Sequence, residues 1–352
     1  MRITLFVILL AATPVAAMAQ APRYVAQLLM TSSMQGADIN NSGVVLTNEY
    51  RYVGGSWEYG AVFLTPGSRV DLGTLGGKQV FGNELNDLGM AVGRSTLAGG
   101  TTAHAFVYTS GVMQDIGTMG GNNSEAVAVN NAGLVGGNSE IAGGGSRGFL
   151  YTAAGGIRDI GTLGGAQSRV IDVSESGTVL GEAQTASGEW RTFLYRDGVM
   201  KDYGRWGATT WEGLGPNDEI YGAYHWPDRG TQWLEILNSS WRPPIGMGIP
   251  YDMANGYIVG MREHNTQPTL GTPEGLWGLE EIDDGDWHFY EVSGVNDAGQ
   301  LVGYGCNAEY SCGTVLLNPV PEPATYAMLG AGLGIMALAR RRSKAGTLTR
   351  SA

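Results

Sequence analysis

The pentapeptide Gly73-Thr74-Leu75-Gly76-Gly77 returns as Gly117-Thr118-Met119-Gly120-Gly121 and again as Gly161-Thr162-Leu163-Gly164-Gly165, 44 residues apart each time. A fixed period of this length marks a chain built by stacking one supersecondary unit, and it excludes most single-core folds at once. Ahead of each copy lies an apolar strand and turn: Ala61-Val62-Phe63-Leu64-Thr65, Ala105-Phe106-Val107-Tyr108-Thr109 and Gly148-Phe149-Leu150-Tyr151-Thr152. Behind each copy, a second apolar stretch ends in a turn at Asn86 to Gly89, Asn130 to Gly133 and Ser174 to Gly177, followed by another short strand. Four strands of about five or six residues with their turns account for one unit without any helix. The glycines recur because hairpin positions with positive φ exclude a Cβ.

Looser copies extend the count. First strands recur at Thr192 to Arg196, Gln232 to Leu237, Gly275 to Leu279 and Gly313 to Leu317, and hairpins at Asn40 to Gly43, Pro216 to Glu219, Met253 to Gly256 and Asn296 to Gly299. Each list reaches seven. The chain opens in the later part of a unit and closes on a lone first strand, so its two ends together complete one unit. The expected fold is therefore all-β, a seven-bladed β-propeller of ~44-residue four-stranded repeats, with terminal strands sharing a blade and no exposed sheet edges at the seam. An open β-solenoid, with shorter coils and caps, is the alternative.

The units carry Ala-Phe-x-Tyr, Asp-Ile-Gly-Thr-Leu-Gly-Gly and Val-Asn-x-x-Gly, with His104-Ala105-Phe106 as one triplet. In this they resemble the HAF family of extracellular repeats. The resemblance is clear from Ala61 to Gly181 and fades towards Gly303. It implies export and the repeat fold, and it names no activity.

Residues 1–19 read as a secretory signal peptide: Arg2, an apolar run from Ile3 to Ala12, and Ala17-Met18-Ala19 before the cleavage point. The run is too short for a membrane-spanning helix and is broken by Pro14. Residues 20–319 form the repeat domain and residues 320–352 a tail. In the tail, Pro321-Glu322-Pro323 precedes an apolar helix over 324–339 and the cluster Arg340, Arg341, Arg342. These three parts in order resemble the PEP-CTERM sorting signal. That resemblance implies recognition of the Pro-Glu-Pro by an exosortase, after signal peptidase has acted at the other end. It implies delivery to the cell surface or extracellular matrix, often alongside exopolysaccharide, with the apolar helix holding the chain transiently in the inner membrane. A plain tail anchor is the alternative. In either case the arginines mark the cytoplasmic side.

The net charge of −12 becomes more negative once Arg2 and the tail cations are removed. Such a field repels phosphate backbones, so nucleic acid is not an expected partner. Glycine, at 57 of 352 residues, falls at fixed spacing among β-branched and aromatic residues and so reads as turns. The two cysteines, Cys306 and Cys312, favour a local disulfide in an exported protein over a metal site, which would want more ligands. No cofactor is expected.

Few residues point to chemistry. Gly73 to Lys78 lacks the Lys-Ser/Thr ending of a phosphate loop, and the sister copies carry Asn122 and Ala166 where Lys78 stands. The four histidines, His104, His225, His264 and His288, show no ligand or triad spacing. Glu280 to Asp286 is acidic but lacks calcium-loop spacing, and it reads as a solvated hairpin tip. Seven of the nine tryptophans fall in the most divergent units, beside Asp228, Asp283 and Asp286. Aromatic faces beside carboxylates suit sugar rings, which makes Trp206, Trp211, Trp226, Asp228 and Trp287 the candidate ligand residues; packing between drifted blades is the competing role. The expected function is a non-catalytic surface or matrix protein binding glycan or another protein. An extracellular polysaccharide-degrading enzyme with a carboxylate pair is the alternative.

Overall fold

A computed structural model describes residues 21–31, 33–204, 209–225, 232–237, 247–262, 267–282, 285 and 287–321, without the side chains of 33–37 and 232–233. Among the described residues the only helix is α1 (Leu279–Ile282), and all other regular structure is strand.

After β1 (Tyr24–Thr31), the chain runs as successive antiparallel meanders. The first is β2 (Ser33–Ile39), β3 (Val45–Val53), β4 (Ser56–Thr65) and β5 (Ser68–Asp71). A single parallel bridge, Tyr59 to Gln79, joins it to β6 (Gly76–Leu85), β7 (Ala91–Leu97), β8 (Ala103–Thr109) and β9 (Val112–Gly117), making one eight-stranded sheet. Two four-stranded sheets follow: β10 (Gly120–Val129), β11 (Val135–Ile141), β12 (Ser146–Thr152), β13 (Gly156–Asp159), and β14 (Gly164–Val173), β15 (Val179–Thr185), β16 (Trp190–Arg196), β17 (Val199–Gly204). The next sheet has three described strands, β18 (Thr209–Leu214), β19 (Ile220–His225) and β20 (Gln232–Leu237). Then come β21 (Met247–Ala254), β22 (Tyr257–Arg262), β23 (Pro268–Thr272) and β24 (Gly275–Gly278). The last meander, β25 (Trp287–Val295), β26 (Leu301–Asn307) and β27 (Cys312–Pro319), takes β1 as its fourth strand, in register from Tyr24 opposite Pro319.

The core lies between sheets rather than within one. Val92, Ala105 and Val107 of one meander pack on Ala126, Phe149 and Tyr151 of the next. The same face-to-face contact repeats along the chain, through Leu180 against Trp211 and Ile220, and Tyr221 against Met247 and Ile258. Ile39, Val45 and Val62 of the first meander pack on Val302 and Leu316 of the last. Each such side chain contributes about 1.5–3 kcal/mol by leaving water, so the interfaces are the main source of stability. Both faces of a sheet being buried explains apolar runs such as Ala105-Phe106-Val107-Tyr108, all with little exposure.

One bulge is repeated on the first strand of six meanders: register shifts at Asn83, Val127, Ile171, Glu212, Tyr251 and Ser293. The bulged backbone crowds the neighbouring strand. A Cβ on Gly93 would stand 2.0 Å from the Phe81 carbonyl oxygen, and one on Gly137 2.4 Å from that of Glu125, so only glycine fits there. Gly181, Gly222, Gly260 and Gly303 hold the same position.

Three sequence expectations change in detail. The Gly-Thr-Leu-Gly-Gly segment is not a turn inside a meander; it carries the chain from the last strand of one meander to the first strand of the next, so meander boundaries fall half a unit away from the sequence repeat. The fifth hairpin begins at Gly215 rather than Pro216, with Asp218 at φ 61°, and the sixth is a two-residue Asn255-Gly256 turn with both φ positive. The acidic run after Gly278 is not a hairpin tip where it is described: Glu280 and Glu281 lie in the single turn of α1.

Candidate functional site: an acidic cavity and an exposed aromatic run

The bulges turn the following side chains towards a common cavity of about 610 Å³. Asp38, Glu84, Asp172 and Asp252, each two residues before a hairpin, line it together with Glu212 and Tyr221. Asp38, Asp172 and Asp252 are built alike. One carboxylate oxygen accepts the next residue's N–H (Ile39 2.7 Å, Val173 2.6 Å, Met253 2.7 Å), and the other accepts an N–H of the neighbouring meander (Leu85 2.9 Å, Leu214 2.6 Å, Val295 2.7 Å). Glu84 reaches the Val129 N–H at 3.3 Å in the same way. These carboxylates therefore clasp adjacent meanders.

Burial also makes their charge costly. It pushes Asp38 up to about 6 and Asp252 to about 8; repulsion from Asp172 and Asp87 adds at Asp38 and repulsion from Asp38 adds at Asp252, while the accepted N–H bonds oppose the shift. Burial likewise raises Glu84 well above the usual carboxylate range, and raises Asp172 and Glu212. The Tyr221 hydroxyl is raised by burial and then by the surrounding carboxylates.

Above the carboxylates a belt of turn side chains links the meanders. Asn40 Nδ2 donates to the Asn86 carbonyl (3.0 Å), Asn86 to Asn130 (2.9 Å), Asn130 to Ser174 (3.0 Å), and Asn296 of the last meander back to Asn40 (3.0 Å). Oδ1 of Asn40, Asn86 and Asn296 holds its own turn by accepting N–H groups two and four residues on, and Oδ1 of Asn130 accepts that of Leu134, four residues on. At the cavity mouth stand Asp87, Glu175 and Asp297, bonded to Asn41 and Asn131.

A second feature lies on the outside. The β3–β4 hairpin runs in unbroken register out to Val53 opposite Ser56, and Tyr50, Tyr52, Trp57 and Tyr59 share one of its faces. Their ring centroids follow one another at 5.2 Å (Tyr52 to Trp57), 4.9 Å (Trp57 to Tyr50) and 5.6 Å (Tyr50 to Tyr59), then 5.2 Å from Tyr59 to Phe81, where Arg94 lies 5.0 Å over the ring. Trp57 is 58% exposed and Tyr52 64%. The far side of the hairpin is an ion-pair cluster of Glu49, Arg51, Arg69 and Asp71.

Among the residues singled out from sequence, Trp211 is buried beside Leu180, Leu214 and Ile220, which leaves its ring no free face. Trp287 is half-buried, packed on the core and parallel to Phe289 at 6.2 Å. Trp206, Trp226, Asp228, Glu322, Pro323, Arg340, Arg341 and Arg342 lie outside the described residues, as do residues 1–19 and the apolar segment 324–339; Pro321 is exposed at the last described position. Cys306 and Cys312 are disulfide-bonded across the β26–β27 hairpin. His104 pairs with Asp115 at 2.9 Å, where Arg147–Asp159 and Arg191–Asp202 stand in the next meanders, so it is a repeat strut. Among the described residues no cluster of His, Cys, Asp and Glu could hold a metal ion, and no helix is long and apolar enough to cross a membrane.

Residues 319–343 match the PEP-CTERM protein-sorting motif. The tail is thus an exosortase recognition signal, and it indicates an exported surface protein with a membrane-associated sorting segment. No curated protein matches the chain in sequence. In structure, the β-propeller domain of the trilobed protease from Pyrococcus furiosus, described as having an open velcro topology, is similar with a TM-score of 0.53 at 7% identity, covering 82% of this chain and 98% of that one. YCF48 bound to D1 peptide gives 0.49 at 10% identity, over 86% and 100%. TolB from Acinetobacter baumannii gives 0.42 at 12% identity over 58% of this chain, which spans 51% of the length of that protein. The first of these supports a propeller-like all-β fold.

Proposed function

We propose that the protein is an exported, non-catalytic binding protein of the cell surface or its matrix. Its meanders serve as the seven blades of a closed propeller, and it holds a glycan on the aromatic run of the β3–β4 hairpin. Support for ring closure comes from β1 pairing with β27, the Ile39–Val302 packing and the Asn296-to-Asn40 link. The observation that carries the binding role is the run itself: exposed rings on one face of a projecting hairpin, with Arg94 and Glu125 joined at 3.2 Å near its inner end. Rings in this arrangement offer π-faces to the C–H faces of sugars, and the flanking charged groups can meet hydroxyls. Exosortase processing would deliver this surface to an exopolysaccharide-bearing exterior.

A hydrolase reading draws on Glu84 and Asp252, whose raised proton affinity suits a general acid. The backbone bonds that occupy Asp38, Asp172 and Asp252 favour the structural role. A glycan array on the exported protein tests the proposal. Binding that is lost in Trp57→Ala and Tyr52→Ala, without release of shortened chains, is expected. Depolymerisation, or binding untouched by both substitutions, would overturn it.

A further inference from the structure

The cavity and the aromatic run have different chemistry, and only the second is used by the proposed function. The cavity of about 610 Å³ is within the size range of small-molecule sites and too large for one bare ion. Eight carboxyl side chains line it, and no Lys, Arg or His does among the described residues. Walls of one sign around a low-dielectric hollow focus the field and concentrate counter-ions.

Acidity alone would be explained by the sheet clasps, since Asp38, Asp172 and Asp252 each accept two backbone N–H groups. Two groups have no such role. Glu212 is the bulged residue of β18, exposed to the cavity, and its carboxylate takes part in no sheet clasp. Tyr221 is 5% exposed, lines the cavity, and its hydroxyl makes no hydrogen bond among the described residues. A phenol hydroxyl held in a buried wall without a partner is a group awaiting one.

We infer that the cavity is a binding site for an organic cation carrying two or more ammonium groups, with Glu212 and, at the mouth, Asp87 and Asp297 as counter-charges and the Tyr221 hydroxyl as an additional acceptor. Such a cation exchanges its hydration shell for carboxylates spread around the wall, which a compact metal ion cannot reach together; no three of these groups converge on a metal position among the described residues. Polyamines and short oligomers of amino sugars share this chemistry.

Calorimetric titration of the exported protein at low salt tests the inference, with spermidine and a glucosamine trimer as probes and calcium chloride as the inorganic control. One-to-one binding of either probe is expected, and which of the two binds identifies the source of the ammonium groups. Glu212→Gln should weaken it by about tenfold, Tyr221→Phe should weaken it severalfold, and Glu309→Gln, outside the cavity, should leave it unchanged. Both cavity variants spare the backbone clasps, and unchanged melting would confirm that they fold. No binding of either probe, binding indifferent to both cavity substitutions, or a response to calcium alone would overturn the inference. The outcome is independent of whether Trp57 binds glycan.

Discussion

Replacing Asn86 by alanine should destabilise the protein well beyond an ordinary change in an exposed turn. The side chain is 4% exposed and makes three hydrogen bonds: Nδ2 to the Asn130 carbonyl at 2.9 Å, and Oδ1 from the Leu88 and Met90 N–H groups at 3.0 and 2.9 Å. At about 0.5–1.5 kcal/mol net for each bond, with the part-buried Leu88 and Met90 N–H groups losing their acceptor, the loss should be about 2–4 kcal/mol. Asn86→Asp separates the two functions. It keeps both acceptors and replaces the donor with an oxygen facing a carbonyl, so it isolates the link between meanders at about 1–3 kcal/mol. Leu88, 78% exposed in the same turn, is the control, and Leu88→Ala should stay within about 0.5 kcal/mol. Urea unfolding reads all three as shifts in midpoint at unchanged slope. A loss below about 1 kcal/mol for Asn86→Ala would refute the reasoning, because it would mean the belt carries no net stability.

Four further outcomes are expected. Stability should fall as pH rises from about 4 towards 8, because the folded state keeps protons on Asp252 and Asp38 that the unfolded chain has already released; melting at pH 5.5 above that at pH 8.5 is the expected order, and the reverse would deny the carboxylates their burial. Gly137→Ala should cost more than about 3 kcal/mol, since its Cβ would meet the Phe149 ring at 2.3 Å and the Glu125 oxygen at 2.4 Å; a folded variant with unchanged melting would show that the bulge adapts. Reduction of Cys306–Cys312 should lower stability by about 2 kcal/mol, as befits a loop of six residues, measured by urea unfolding with and without reductant. Mass spectrometry of the exported protein should find Gln20 at the amino terminus and a carboxy terminus near Pro321.

Much of the architecture is written in the repeat. The Asn-x-x-Gly turns at Asn40, Asn86, Asn130 and Asn296 mark hairpins because the side chain closes the turn itself, and the unfinished units at the two ends foretell the β1–β27 pair. What period alone could not place was the meander boundary: a glycine segment that crosses between meanders has the same composition as one that turns within a meander. Turn positions drifted where Gly215 and Ala254 replace the usual asparagine.

The cavity was legible in principle. Asp38, Glu84, Asp172 and Asp252 all sit two residues before a turn, but they alternate with Ala128, Gly213 and Gly294, and a search for local motifs passes over residues gathered from separate units. The aromatic run was also visible, as Tyr50 and Tyr52 mirrored by Trp57 and Tyr59 across Gly54-Gly55, the period-two signature of one hairpin face. Counting tryptophans drew attention instead to the divergent units, where Trp211 fills the gap between sheets.

Amide hydrogen exchange along β1 bears most directly on the closed ring. If the first and last strands seal it, the alternate amides of Tyr24 to Leu28 that face β27 should be protected far beyond a frayed terminus, towards the level of Leu301 to Gly305 in β26. Exchange of the Tyr24 to Leu28 amides at the rate of a frayed terminus, with β26 still protected, would contradict it.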